Sequence, residues 1–139
     1  MKIFFKKLDE NAKIPSKNRA DDEGWDIYAL HDYILKPNAT TIIKTGIAGK
    51  TDDNHWLQIE SRSGLATKGV FAVGGVIDTN FRGEICVILA NIIEQEFYIK
   101  QFDRIAQLVI RDRHPAEIIE VEQLDTTDRA AQGFGSSGA

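Results

Sequence analysis

The sequence predicts an all-β domain, a sandwich or barrel built from many short strands. Three observations predict it. No window holds the apolar period of an amphipathic helix. Runs of β-branched and aromatic residues recur at strand length, separated by Gly, Pro, Asn and Asp turn signals. One run, Ile85 to Ala90, is apolar throughout and reads as a strand buried on both faces. At 139 residues the chain is one domain, long enough to bury roughly 68–70% of its unfolded surface.

Taken in order, residues 2–8 are apolar and aromatic between lysines, which suits an edge or intersubunit strand, since edge lysines discourage unwanted pairing. Residues 11–22 are polar and read as a loop. Gly24 to Leu30 is strand-like, and Tyr33 to Lys36 runs into the turn signal Pro37-Asn38. Thr40 to Ile47 is β-branched and reads as one strand; Thr51 to Asn54 is a turn; Trp56 to Ser61 alternates as a half-buried strand does. Ser63 to Lys68 has room for one helical turn. Gly74-Gly75 marks a tight reversal, because both residues tolerate positive φ. Glu96 to Lys100, Ile105 to Ile110 and Ile118 to Glu122 are three further short strands. From Thr126 strand character is lost, and three glycines and two serines surround the lone aromatic Phe134.

The bulk numbers exclude several functions. A formal net charge of -4 provides no global positive field for a nucleic-acid backbone. The single cysteine, Cys86, excludes an intrachain disulfide and reads as an inert thiol in an apolar run. The start of the chain is too short in its apolar part for a signal peptide, and no apolar run approaches membrane-spanning length. A reducing, cytoplasmic location without membrane contact is therefore expected. His31, His55 and His114 are scattered without metal-ligand spacing, so no zinc site is assigned.

Two stretches carry chemistry. Asp78 follows the apolar pair Val76-Ile77 between two expected strands, and an acid held there has the fixed position a general base needs; alone it could simply close a turn. Arg62-Ser63-Gly64 offers a cation, a hydroxyl and backbone N–H donors in three consecutive residues, the makings of an anion nest, although the tripeptide by itself is an ordinary turn.

The pattern Gly75-Val-Ile-Asp-Thr-Asn-Phe-Arg-Gly-Glu84 resembles the third motif of the homotrimeric dUTP pyrophosphatases (dUTPases). Glu23-Gly-Trp-Asp-Ile-Tyr-Ala29, Ser61-Arg-Ser-Gly-Leu-Ala66, Asp103-Arg-Ile-Ala-Gln107 and Arg129-Ala-Ala-Gln-Gly-Phe-Gly-Ser-Ser-Gly138 resemble the first, second, fourth and fifth in the same order. The resemblance spans nearly the whole chain. It implies a jelly-roll-like distorted β-barrel over residues 1–125. Residues 126–139 would be a flexible arm that closes an active site of a neighbouring subunit. It implies hydrolysis of dUTP to dUMP and pyrophosphate by water attack on the α-phosphorus, which keeps uracil out of DNA and supplies dUMP for dTMP synthesis.

The resemblance also assigns roles. Asp78 would be the base. Arg62, Ser63, Gly64 and Gln107 would hold phosphates, with Arg129, Ser136 and Ser137 of the arm reaching the outer ones. Ala72, Val73 and Gly75 would read the uracil edge through backbone groups. Phe81 would pack on the deoxyribose, and Phe134, next to Gly135, would stack over the base. Gln107 could equally be an outward polar residue on a strand, Phe81 could be core, and the arm could be an unstructured terminus. Magnesium is expected, carried by the triphosphate and its waters, because no acidic cluster looks like a protein cage. Asp26 would touch those waters or hold an arginine in an ion pair. A regulatory protein partner is possible.

This sequence departs from the family's usual residues at several places. Phe81 replaces a tyrosine, Ser61 a proline, and Ala130 a glycine; Thr79-Asn80 stands where an acid is frequent. Ser61 is expected to loosen the phosphate loop. Two other readings share the fold. A dCTP deaminase would need an acid–base group aimed at the cytosine amine, and no residue stands at a matching position. A nucleotide-dependent regulatory protein would need no turnover.

Overall fold

The β-branched and aromatic runs form eleven strands and one helical turn in the computed structural model, which describes residues 1–138. Ala139, the end of the expected arm, lies outside the described residues. In chain order the elements are β1 (Phe4–Lys7), β2 (Trp25–Tyr28), β3 (Tyr33–Leu35), β4 (Ala39–Ile43), β5 (Ile47–Lys50), β6 (His55–Glu60), α1 (Ser63–Ala66), β7 (Val70–Val73), β8 (Val76–Ile77), β9 (Val87–Asn91), β10 (Phe97–Ile99) and β11 (Arg104–Asp112). All strand pairs are antiparallel. One sheet has the order β2-β11-β6-β8 and a second the order β4-β9-β7; β1-β5 and β3-β10 are two-stranded ribbons. The result is an all-β fold with open sheets, jelly-roll-like as expected.

Alternation sends every second side chain inward. Ile27, Leu57, Ile59 and Leu108 of the first sheet join Ile43, Val70, Val87 and Leu89 of the second in one core. Each such burial stabilises the fold by about 1.5–3 kcal/mol. Two polar side chains, Thr45 and Asn91, are fully buried as well, and Asn91 links two strands. Asn91, at the end of β9, donates to the carbonyls of Leu35 (3.2 Å), Lys36 (3.3 Å) and Gln95 (2.8 Å), and its Oδ1 accepts the Ile93 N–H at 3.2 Å. It therefore ties β9 to β3.

The sheets differ from the expected strands in four places. The run Thr40 to Ile47 is two strands in different sheets. It breaks at Gly46, whose φ is +72° and where a Cβ would lie 2.9 Å from the Ala12 methyl. The central run is not buried on both faces: Val87 and Leu89 are fully buried, but Ile88 remains 36% exposed beside the exposed Ile42. The arms flanking Gly74-Gly75 do not pair with each other. β7 pairs with β9 and β8 with β6, so the reversal is a corner between two sheets. Finally, Ile118 to Glu122 forms no strand; every residue from Arg113 to Gly138 is exposed. A strand needs an edge to pair with, and this segment meets none on its own chain.

Replacing Asn91 by Leu leaves three carbonyls without their donor in a dry environment. The expected cost is about 2–4 kcal/mol in urea unfolding. A loss below about 0.5 kcal/mol, the range of an ordinary surface substitution, would refute the anchoring role.

Candidate active site

The first half of the site is a cradle of about 360 Å³ between β2, β11 and the loop after β6, lined by Asn18, Gly24, Asp26, Arg62, Ser63, Gly64, Arg104 and Gln107, with Asp22 and Glu23 at its rim. Asp26 holds it together. Its Oδ1 accepts from Arg62 Nε at 3.0 Å, and its Oδ2 lies 3.7 Å from Arg104 Nη1. Arg62 also reaches the Arg104 carbonyl at 3.4 Å. Of the two roles left open for Asp26, the structure displays the ion pair. The amides of Ser63 and Gly64 open the helical turn, where N–H groups have no intrahelical acceptor. Nothing in the protein lies within 4 Å of a Cβ at Gly64, so the space a side chain would fill belongs to the cradle.

Gln107 points into this cradle. Its Nε2 donates to the Ser61 carbonyl at 3.0 Å. Its amide lies over Gly24, where a Cβ would stand 2.1 Å from Gln107 Oε1. Sequence reasoning missed Gly24 and Arg104 as cradle residues. Arg104 and Gln107 have opposite parity and would face opposite sides of a regular strand. The register of β11 against β2 shifts between Arg104 and Ala106, and that bulge lets both line one cavity. The available signal was the shared Asp103-Arg-Ile-Ala-Gln107 stretch.

The second half of the site begins at the corner. Val73, Gly75 and Phe81 line a recess of about 390 Å³ with Ile59, Ile77, Cys86 and Ile88. Phe81 is 42% exposed rather than core, and its ring lies over Gly83, where a Cβ would be 2.7 Å from Phe81 Cζ. Burial and the nearby Glu84 push the Cys86 thiol up. Ala72 does not present free backbone groups, because its N–H and carbonyl are both engaged by the Ser61 hydroxyl. The Gly75 carbonyl accepts the Ile59 N–H at 2.8 Å. The N–H groups of Gly74 and Gly75 make no hydrogen bond among the described residues. The expectation that Ser61 loosens the phosphate loop is reversed: it fastens that loop.

Asp78 follows β8 and opens a tight turn in which the Phe81 N–H returns to the Asp78 carbonyl at 3.0 Å. The Thr79 hydroxyl donates to the His55 carbonyl at 2.8 Å, and Arg82 donates to the carbonyls of Thr79 and Phe81, both at 2.8 Å. The backbone is thus pinned, while the Asp78 carboxylate is exposed and makes no hydrogen bond or ion pair among the described residues. It opens on a cavity of about 420 Å³ with Asp53, Trp56, Asn80 and Arg113.

The two halves are apart. Gln107 pairs with Glu60 near one end of β6, whereas Asp78 lies one residue past the Leu57–Ile77 pair near the other. Two strand spacings across and four residues along put their Cα positions about 16 Å from each other. Among the described residues none lines both the cradle and the Asp78 cavity.

Among the described residues the arm makes no hydrogen bond or ion pair to either half on its own chain. Arg129 Nε donates to the Gln132 carbonyl at 2.9 Å, and the Ser136 N–H to the Gly133 carbonyl at 2.8 Å, both within the arm. Phe134, Gly135, Ser136 and Ser137 are exposed, Phe134 entirely. Ala130 has a φ of +48°, the left-handed region that glycine occupies without strain. Among the described residues no group of three or more His, Cys, Asp or Glu could hold a metal ion.

Comparison with known proteins identifies what the chain resembles as a whole. The family model described as dUTPase matches residues 10–138. A deoxyuridine 5'-triphosphate nucleotidohydrolase of Nautilia profundicola is 44% identical, with 99% of each chain covered. That of Helicobacter pylori is 40% identical over 99% of this chain and 97% of its own. Among solved structures, the Staphylococcus bacteriophage 80alpha dUTPase with dUPNHPP superposes with a TM-score of 0.88 at 26% identity, covering 99% of each chain. A phage phi11 dUTPase described as coordinating a structural Mg(II) ion has the same fold, with a TM-score of 0.82 at 24% identity over 91% of this chain.

A methyl group at Gly24 collides with the Gln107 amide. Gly24→Ala is expected to weaken calorimetric binding of inorganic triphosphate about tenfold, the loss of one hydrogen bond to a charged ligand, while leaving the melting temperature nearly unchanged. Unchanged triphosphate affinity would remove Gln107 from the cradle.

Proposed function

We propose a mechanism from one premise: this chain belongs to the dUTPase family, and it is a hydrolase that converts dUTP to dUMP and pyrophosphate. The observation that carries the mechanism is the separation of Asp78 from the phosphate cradle. A general base must come within hydrogen-bond reach of the attacking water, and the cradle must grip the same triphosphate. Strand spacing and register put the Cα atoms of Asp78 and Gln107 about 16 Å apart in one chain. A complete site therefore joins Asp78, Phe81 and the Gly74-Gly75 turn of one copy to Arg62, Ser63, Gly64 and Gln107 of another. The exposed cross-strand pair Ile42 and Ile88 gives the β4-β9-β7 sheet an apolar face for such a contact. A closed homotrimer would make three composite sites.

In each site the pinned turn holds the Asp78 carboxylate against a water. The water oxygen attacks the α-phosphorus, its proton passes to Asp78, and the bond from the α-phosphorus to the bridging oxygen breaks, releasing pyrophosphate. The N–H groups of Gly74 and Gly75 face the base edge. A pocket that satisfies uracil leaves a polar group unpaired when cytosine enters, and this penalises the wrong base. The Phe81 ring packs on the deoxyribose and excludes a 2′-hydroxyl by bulk.

The cradle contributes two arginines against the carboxylates of Asp22, Glu23 and Asp26, so it cannot neutralise a triphosphate alone. The described residues do not fit a resident metal cage. The substrate is therefore the magnesium complex of dUTP, with the ion on phosphate oxygens and waters. Arg129, with Ser136 and Ser137, brings the remaining charge and hydrogen bonds when the arm closes. Phe134 stacks on the base, a contact worth about 1–3 kcal/mol. The arm's exposure along its own chain supports closure over a neighbour's site. No described helix is long and apolar enough to cross a membrane. A hydrolase acting on free nucleotides would work in the cytoplasm.

Asp78→Asn should lower kcat about 10²–10⁴-fold while leaving affinity for dUPNHPP nearly intact. Co-refolding inactive Asp78→Asn with inactive Arg62→Ala should regain activity, because some sites then pair an intact acid with an intact cradle. Complementation that never appears would place the whole site within one chain. Turnover of UTP, dTTP or dCTP as fast as dUTP would refute the pocket.

A further inference from the structure

Three functional segments meet at Ser61, the residue after β6. Its carbonyl receives the Gln107 Nε2–H at 3.0 Å. Its hydroxyl accepts the Ala72 N–H at 2.9 Å and lies 3.4 Å from the Ala72 carbonyl, to which it donates. Its own peptide leads directly into Arg62. Ala72 sits on β7, an edge strand of the β4-β9-β7 sheet, whereas Ser61 continues β6 of the other sheet. The hydroxyl therefore bridges two sheets where the phosphate loop and the corner leading to Gly74-Gly75 come together. A hydroxyl both donates and accepts at one atom, so a single side chain satisfies both exposed edge groups of Ala72. No other side chain makes a hydrogen bond to the Ala72–Gly75 segment among the described residues.

We propose that Ser61 is a positioning residue that sets the spacing between the base-binding turn and the phosphate cradle. This rests on the reading of those segments as halves of a composite site. Within one copy the two halves serve different substrate molecules. In a closed ring of identical copies, however, their spacing inside each chain also sets their spacing across each interface. Ser61 thus determines whether a base pocket and its neighbour's cradle stand one nucleotide length apart. It touches no substrate and need not change the affinity of either half for the fragment that fills it.

That last property gives the test. The whole assembly is titrated with dUPNHPP, which spans both halves, and separately with dUMP and with inorganic triphosphate, which each fill one. Ser61→Ala should weaken dUPNHPP about fivefold, the share of one hydrogen bond. The two fragments should stay within about twofold of the parent protein. For dUTP turnover, KM should rise by the same factor, with kcat nearly unchanged. Ser61→Thr, which keeps the hydroxyl, should restore the whole-nucleotide affinity. Should Ser61→Ala fail to fold, Ser61→Cys, with a weakly bonding thiol of similar size, carries the same comparison. Fragments weakened as much as dUPNHPP would reduce Ser61 to a general support of the fold. Unchanged dUPNHPP affinity, or no rescue by threonine, would overturn the proposal outright. Either result leaves the mixing of Asp78→Asn and Arg62→Ala subunits as an independent measure of the composite site.

Discussion

The corner at Gly74-Gly75 closes against the backbone of Ile59, and the placement of the site follows from that contact. The Ile59 N–H donates to the Gly75 carbonyl at 2.8 Å, and a Cβ at Gly75 would stand 2.6 Å from the Ile59 carbonyl oxygen. With φ values of +71° and +104°, the two glycines adopt a path that other residues rarely take. At this corner the chain leaves the β4-β9-β7 sheet and joins the other as its edge strand β8. Two consequences follow at opposite ends of β6. Ala72 is brought beside Ser61, and Asp78 is carried two residues beyond Val76 to the far end, where Thr79 bonds to His55. A bulkier residue at the corner would disturb both.

The electrostatics of the cradle follow a similar economy. Asp26 orients two arginines, so under the proposed reading their guanidinium groups are in place before an anion arrives. Preorganised charge is worth more to a transition state than charge that must be gathered. The same carboxylate, with Asp22 and Glu23, holds the local charge down, which keeps the empty cradle from being a strongly repulsive cluster of cations. The proposed mechanism has the remaining positive charge arrive with the ligand and the arm. The arm that bears Arg129 leaves Phe134 wholly exposed on its own chain, as a segment that orders on closure under the proposed mechanism would. Asp78 is arranged the opposite way. Its backbone is tied by Thr79 and Arg82, yet its carboxylate has no neutralising partner among the described residues, as the proposed base requires.

The all-β class was readable in the sequence, because alternation and β-branching are local properties and each short run reports its own preference. The reversal at Gly74-Gly75, the acid at Asp78 and the cation–hydroxyl–glycine loop at Arg62 to Gly64 were equally local. The tertiary structure alone decided that Thr40 to Ile47 splits between two sheets, and that the segments flanking the double glycine pair with β9 and β6 instead of each other. It alone decided that a bulge turns Arg104 toward Gln107, and that Ile118 to Glu122 finds no edge on its own chain. The serine after β6 looked like a weak point in one loop and proved to be a clamp between two. The reason is physical. A residue's face and flexibility depend on its neighbours along the chain, whereas its partner depends on which distant strand the packed core brings beside it.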